Sequence, residues 1–316
     1  MKSIARRLCV KIIDAVDAVE LSMKLFTKLV LITCFAFFNE RHGFCQSDLS
    51  VSVFAGPIYY NGDLSDDRII PPLQLMNLHY GIEGTVMLTD RVEVGIGFFR
   101  GTLEGDDALS NDKFKRLRNL SFSTTNYEAF MKFRLEIFKT VDFRPVNTAL
   151  ILGAGVISFN PTGELDGEKI DLQPLGTEGQ FIETGNYPQP YKLTSTVLMV
   201  GIGARISLSS RMALLLDLTP RITFTDYLDD VSGFYPDSTQ LANSPGGMSA
   251  VLLSHQGSDN FPKEGRARGN PSNNDVYIAG GISFRYYFGK TYHSGSKPGI
   301  FRKIRESGGG WWGDRP

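Results

Sequence analysis

The chain has 316 residues, 42 % of them hydrophobic and 21 % charged, with a net charge of −1. That near-neutral balance leaves no basic surplus to neutralise phosphates, which excludes nucleic acid as the main partner. The same figures suit a soluble enzyme or a transmembrane β-barrel, because a barrel alternates its faces and lacks long apolar runs; the 33 Gly and 22 Phe favour the barrel, with its crowded lumen and aromatic girdles.

Near the N-terminus, Met23-Lys24 and Lys28 precede the apolar run Leu29 to Phe38, and Phe44-Cys45-Gln46-Ser47 offers small residues for cleavage. The pattern predicts a secretory signal region over 1–46, its apolar run falling short of the roughly 20 residues that span a bilayer. A signal anchor is the alternative. Translation is expected to start at Met23, since Asp14, Asp17 and Glu20 suit no signal-peptide start. Cys9, Cys34 and Cys45 all fall here, so the mature chain is expected to hold no disulfide, thiol nucleophile or cysteine metal site.

Strands follow by period-two alternation. Leu49 to Tyr60 is the first. Met76 to Leu88 sets Leu78, Tyr80, Ile82 and Val86 against His79, Glu83 and Thr85, and only Thr89-Asp90-Arg91 separates it from Val92 to Phe98, which carries Glu93 on its polar face. Ser121 to Ile137 sets Tyr127, Ala129, Met131, Phe133 and Leu135 against Glu128, Lys132, Arg134 and Glu136. Thr148 to Ser158 is less clear, because Ile151 and Ile157 share the face of Gly153 and Gly155. Thr194 to Leu208 has Arg205 on its polar face; across Ser209-Ser210, Met212 to Thr223 has Asp217 and Arg221, with Pro220 on the apolar face where a bulge would tolerate it. Asp275 to Phe288 is last, its Ile282, Phe284, Tyr286 and Phe288 facing away from Arg285.

Links alternate short and long. Thr89–Arg91, Lys139–Val146 and Ser209-Ser210 are short or modest; Asn61–Leu75, Gly101–Asn119, Asn160–Lys192 and Asp226–Asn274 are long. All long loops then share one end, the pattern of an outer-membrane barrel with periplasmic turns and extracellular loops. The expected fold is an all-β, transmembrane, antiparallel up-and-down barrel of about eight strands over 47–289, in the cell outer membrane with lipid as its surroundings, followed by a periplasmic flexible tail over 290–316.

The polar faces carry Glu83, Glu93, Glu128, Glu136 and Asp217 against Lys132, Arg134, Arg205, Arg221 and Arg285, five of each sign. An eight-stranded barrel has room inside only for its own side chains, so these groups are expected to pair into a structural network; a selective channel is the alternative. In the longest loop, Thr225 to Tyr235 has a helix-start residue, early acids and a Gly stop, which predicts a one- or two-turn helix at the barrel lip. Ca²⁺ binding by Asp226, Asp229 and Asp230 is the sharper alternative, weakened by the absence of EF-hand oxygen spacing. Arg266 to Asn270 reads as a loop anchor. Of the histidines, His79 faces the lumen, His255 lies mid-loop and His293 lies in the tail, with no nucleophile, base and orienter set, so neither an enzyme nor a cofactor is expected.

Tyr60-Asn61-Gly62-Asp63-Leu64, Phe159-Asn160-Pro161, Pro174 to Gln180, Thr225 to Tyr235 (with Asp226, Tyr227, Asp229, Asp230 and Gly233), Arg268-Gly269-Asn270 and Asn274-Asp275-Val276-Tyr277 form an ordered series of loop motifs. In this series the chain resembles the Bacteroidota outer-membrane barrels of the PorG type, a domain-of-unknown-function group linked to type IX secretion and gliding. The resemblance covers about Ser47 to Lys290. It implies a non-enzymatic barrel that serves protein transport beside the periplasmic ring proteins of that secretion machine. A small-solute or hydrophobic-ligand porin and a surface adhesion barrel are the alternative functions.

Overall fold

The computed structural model describes residues 49–65, 71–89, 91–137, 146–209, 211–257 and 260–288. The expected signal region, the start at Met23, the three cysteines, His293 and the tail over 290–316 lie outside the described residues. The strands are β1 (Leu49–Asn61), β2 (Asn77–Met87), β3 (Val92–Asp106), β4 (Ser121–Glu136), β5 (Val146–Ser158), β6 (Pro161–Leu165), β7 (Glu168–Asp171), β8 (Thr194–Ser207), β9 (Met212–Thr223) and β10 (Val276–Tyr287). Eight of them close a barrel in chain order, every pair antiparallel, with β1 joined to β10 to complete the ring. The remaining two, β6 and β7, form a hairpin that hangs on the looped end of β4 through Ser123↔Thr162 and Thr124↔Pro161.

The alternation that defines the strands also sorts the two faces. Ile96, Leu78 and Ile202 point outward at 69 %, 61 % and 60 % exposure, while Arg285, Ile151 and Ile157 point inward at 0 %. Within β5 the inward isoleucines resolve the two-faced pattern: Leu150, Leu152 and Val156 are the exposed set. Exposed apolar side chains recur on all eight barrel strands, from Val53 on β1 to Phe284 on β10. A continuous apolar band of this kind is far larger than the patches that water-soluble monomers tolerate.

Tight turns close one end. Leu88 N and Leu208 N donate to the Val92 and Met212 carbonyls at 2.8 and 3.0 Å, and Phe288 N donates to Leu49 O at 2.9 Å, so both ends of the described barrel chain lie at this turn end. At the opposite, looped end the structure departs from the sequence expectation in three places. First, β3 and β4 stay paired through Asp106↔Ser121, so the loop expected from Gly101 starts after Asp106. Second, the Asn160–Lys192 loop contains the β6–β7 hairpin. Third, Thr225 to Tyr235 forms no helix. Asp230 has φ +68°, and Asp229 spends its carboxylate on the Val231 amide at 2.9 Å, both of which interrupt helical winding. The helices lie elsewhere: α1 (Lys113–Arg118), capped by Asp112, α2 (Ser238–Ala242), capped by Asp237, and α3 (Gly247–Ser254).

Pro220 needs no bulge. The β8–β9 ladder stops at Met199↔Arg221 and resumes in the same register at Ile202↔Leu218, so the missing N–H is absorbed by a gap in pairing.

Candidate functional site

The interior is filled in two layers built from inward positions of the alternating strands, and a third layer of loop residues covers them. Nearest the turns runs one chain of ion pairs. Arg285 meets Glu93 at 2.5 Å and Glu83 at 3.9 Å; Glu83 meets Lys132 at 3.0 Å; Lys132 meets Asp217 at 3.3 Å. Asp217 continues to Arg134 at 2.6 Å, Arg134 to Glu136 at 3.1 Å, and Glu136 to Arg205 at 3.4 Å. Apart from Arg134–Glu136, which lies within β4, the links join strands that are not neighbours, as Lys132 on β4 with Asp217 on β9 illustrates, so they brace the wall across the lumen. Eight of the ten inward charges thus join one network.

Glu128 and Arg221 stand apart in the middle layer. Arg221 Nε lies 3.0 Å from Glu128, Tyr277 donates its hydroxyl to the same carboxylate, and the guanidinium sits over the Phe99 ring at 5.0 Å. Phe54, Phe130 and His79 pack beside it, with His79 Nδ1 2.8 Å from Gly56 O. Between these two layers lies a cavity of about 30 Å³, lined by Phe54, His79, Lys132, Asp217 and Arg221 among others. That is room for about one water molecule.

The looped end carries the third layer, a folded cap. Arg268 is its clamp: it lies 3.0 Å from Glu178, donates to the Asp230 carbonyl at 2.5 Å and to Ser254 O at 3.3 Å, and is 2 % exposed. Glu178 accepts from the Ser232 and Gly233 amides at 2.9 and 3.0 Å, and Asp230 accepts from Thr177 and Tyr191 hydroxyls at 2.5 and 2.7 Å. A second arginine, Arg118 at the end of α1, grips Asp107 with two bonds of 2.7 and 2.8 Å and donates to the Asp63 and Arg268 carbonyls. Asp63 Oδ2 accepts from Asn270 N at 2.8 Å. All four long connections are therefore tied together.

Beneath the clamp, Tyr60 OH lies 2.5 Å from Asp229 Oδ2 and 2.8 Å from Asp275 Oδ1. Asp229 also accepts from Leu64 N, and Asp275 from Leu228 N. Burial raises the carboxyls here: Asp226 to about 8, with Asp63 and Asp229 adding to it, Asp229 to about 7, with Asp63 adding, and Asp230 to about 6 against the pull of Arg268. Asp275 is raised by burial and then by Asp229. Asp226, Asp229 and Asp230 turn to different partners, and among the described residues no three acidic, His or Cys groups converge on a metal position.

The loop motifs meet at this cap. Asn61 Oδ1 accepts from Ser65, Gly62 has no room for a Cβ, which would stand 2.0 Å from Asp275 Oδ1, and Tyr227 donates to Glu178 at 3.3 Å. A Cβ on Gly269 would stand 2.2 Å from Asp63 Oδ2 and 2.7 Å from the Ser232 carbonyl. Gly269→Ala is therefore expected to cost about 1–3 kcal/mol and to speed proteolysis within the cap while the circular-dichroism signal of the barrel strands stays unchanged. Of the functional residues not singled out one by one from sequence, Glu178 and Asp275 lay inside the motifs, whereas nothing in the spacing of Asp107 and Arg118 marks them as partners. His255 packs against Tyr235 and Phe261, remote from the His79 layer.

No protein family matches the chain, and no curated protein matches it. Solved structures do. The Neisserial surface protein NspA matches with a TM-score of 0.36 at 11 % identity, over 77 % of this chain and 99 % of that one. A major outer membrane protein from Thermus thermophilus matches at 0.35 and 12 %, over 76 % and 99 %. The attachment invasion locus protein Ail of Yersinia pestis matches at 0.32 and 9 %, over 77 % and 97 %. These structural neighbours are outer-membrane β-barrel proteins.

Proposed function

We propose that the chain is a non-conducting outer-membrane β-barrel that serves as a structural or assembly component, with its turns in the periplasm and its cap outside the cell. The observation that carries this reading is the filled interior: buried ion pairs cross the lumen, and the cavity they leave is about 30 Å³. A porin needs an aqueous path, whereas a barrel braced across its diameter offers only its two ends and its lipid-facing band for work. The apolar band on all eight strands supports a hydrocarbon environment, and a closed ladder leaves no unpaired edge there. Service to the type IX secretion machine is the finer part of the proposal. It rests on the PorG-type loop motifs, whose residues build the cap.

Planar-bilayer recording with the purified full chain tests the first part: no discrete conductance steps are expected, and regular ohmic steps would overturn it. Affinity purification from native membranes tests the second. Periplasmic ring proteins should come down with the intact chain, and unimpaired secretion of sorted cargo after gene deletion would exclude that role while leaving the barrel untouched.

A further inference from the structure

On the looped face a cleft of about 640 Å³ opens between the segments Glu178–Pro188 and Tyr227–Pro271. Its lining combines rings and carboxylates, chiefly Tyr187, Tyr227 and Phe234 with Glu178 and Glu264, and among the described residues none of its lining side chains is basic. Phe234 is 54 % exposed, a large ring left in water beside the opening. Tyr187 OH donates to Glu264 at 2.7 Å and Tyr227 OH donates to Glu178 at 3.3 Å, so both hydroxyl hydrogens are already spent on carboxylates. Beside the Asn186 amide and the Ser232 hydroxyl, a ligand therefore meets chiefly ring surface and carboxylate oxygen, which favours a cation.

Below it the cap pairs Arg118 with Asp107 and Arg268 with Glu178, so the carboxylate the cleft offers a ligand is that of the exposed Glu264. Glu178 belongs to both places: it holds the clamp and forms part of the cleft. A volume in the range of ligand pockets, with aromatic walls and the Glu264 carboxylate among them, has room for a side chain and its flanking backbone.

We infer that this cleft is a binding site for a peptide segment presenting an arginine side chain, its guanidinium held between the Phe234 and Tyr187 rings and the Glu264 carboxylate. The inference deepens the proposed assembly role by giving the chemistry of a partner on the outer side. It does not depend on the secretion machine, and the conductance and purification results read separately from it.

The test is calorimetric titration of the full chain in neutral detergent with a blocked pentapeptide, acetyl-Gly-Ser-Arg-Ser-Gly-amide, and with its citrulline twin, which has the same shape and no charge. The arginine peptide is expected to bind about tenfold more tightly than the twin. Phe234→Ala and Glu264→Gln, both at exposed positions, should each weaken the arginine peptide about five- to tenfold while leaving the melting midpoint unchanged. Equal binding of the two peptides overturns the inference, as does no binding of either at millimolar concentration. Tighter binding of maltotriose than of the arginine peptide would make the cleft a neutral-sugar site and would overturn it too.

Discussion

Raising the pH from 5 to 9 loosens the cap of the wild-type protein, and Asp275→Asn blunts that loosening. Tyr60 has one hydroxyl hydrogen and lies within hydrogen-bond distance of two carboxyl oxygens, on Asp229 and Asp275. It can donate to only one of them, so the other contact needs a carboxylic acid that donates to the phenol oxygen. The groups around the pair give no substitute for that proton: Asp63 and Asp226 repel a second charge, Arg118 acts on Asp229 from a place already bound to Asp107, and the rest are the Leu64, Leu228 and Val231 amides. Burial places Asp226 at about 8 and Asp229 at about 7, with Asp275 also raised. Carboxyls raised in the closed cap return to their ordinary value, near 4, when it opens. Their contribution is therefore complete below about pH 4 and is lost as the pH rises through about 7 to 8. Each unit of separation is worth about 1.4 kcal/mol, so the loss is on the order of a few kcal/mol. Hydrogen exchange at the Leu64, Leu228 and Val231 amides, corrected for the intrinsic rise with pH, should show protection falling from pH 5 to 9. Asparagine mimics the protonated acid, so the Asp275→Asn protein should lose less of its protection across that range, the remainder being due to Asp226 and Asp229. Identical pH profiles for the two proteins would sink the shared-proton account.

The contrast between barrel and cap shows what a single sequence makes legible. Strand faces are written with a period of two, which one residue and its next-but-one neighbour already display, and Ile96 outward or Arg285 inward follows from that alone. The loop alternation adds topology, since short turns join neighbours and long links gather at one end. Pairing across the lumen is different in kind. Lys132 could have met any inward acid at its height, and its choice of Glu83 and Asp217 depends on strand stagger that the pattern does not carry. The cap is harder still. Thr225 to Tyr235 has a helix-start residue, early acids and a glycine, yet its aspartates are taken by Tyr60, Arg268 and Thr177 from three distant segments. Local capping signals lose to those long-range bonds, and the segment winds into bends instead. Arg118 and Asp107 meet because β3 and β4 carry their pairing up to the loop that holds both, a length that the broken alternation after Phe98 conceals.

Replacing Arg285 with leucine should lower the unfolding midpoint of the folded barrel, read by heat-modifiable mobility in gels, by roughly 10 °C. The residue is fully buried and lies 2.5 Å from Glu93, nearer than Arg134 and Arg205, whose charges also act on that carboxylate. Removing it takes away the nearest counter-charge of a buried carboxylate, and breaking a buried pair in this way costs up to about 3–5 kcal/mol, whereas removing both members is often close to neutral. The double variant Arg285→Leu/Glu93→Leu should therefore recover at least half of the lost midpoint. Glu83 is not orphaned in either variant, because Lys132 holds it at 3.0 Å. Substitution at Arg221 makes a useful contrast. Its carboxylate partner is Glu128, which keeps the Tyr277 hydroxyl as a donor after the arginine is gone, so Arg221→Leu should cost less than Arg285→Leu. If Arg285→Leu melts at the wild-type temperature, the turn-end charges do not brace the barrel, and the sealed-lumen basis for a non-conducting scaffold falls with them. If the single variant is destabilised and the double is not rescued, Arg285 acts through its bond to Ser52 at 2.9 Å and its packing in the layer, and the ion pair itself contributes little.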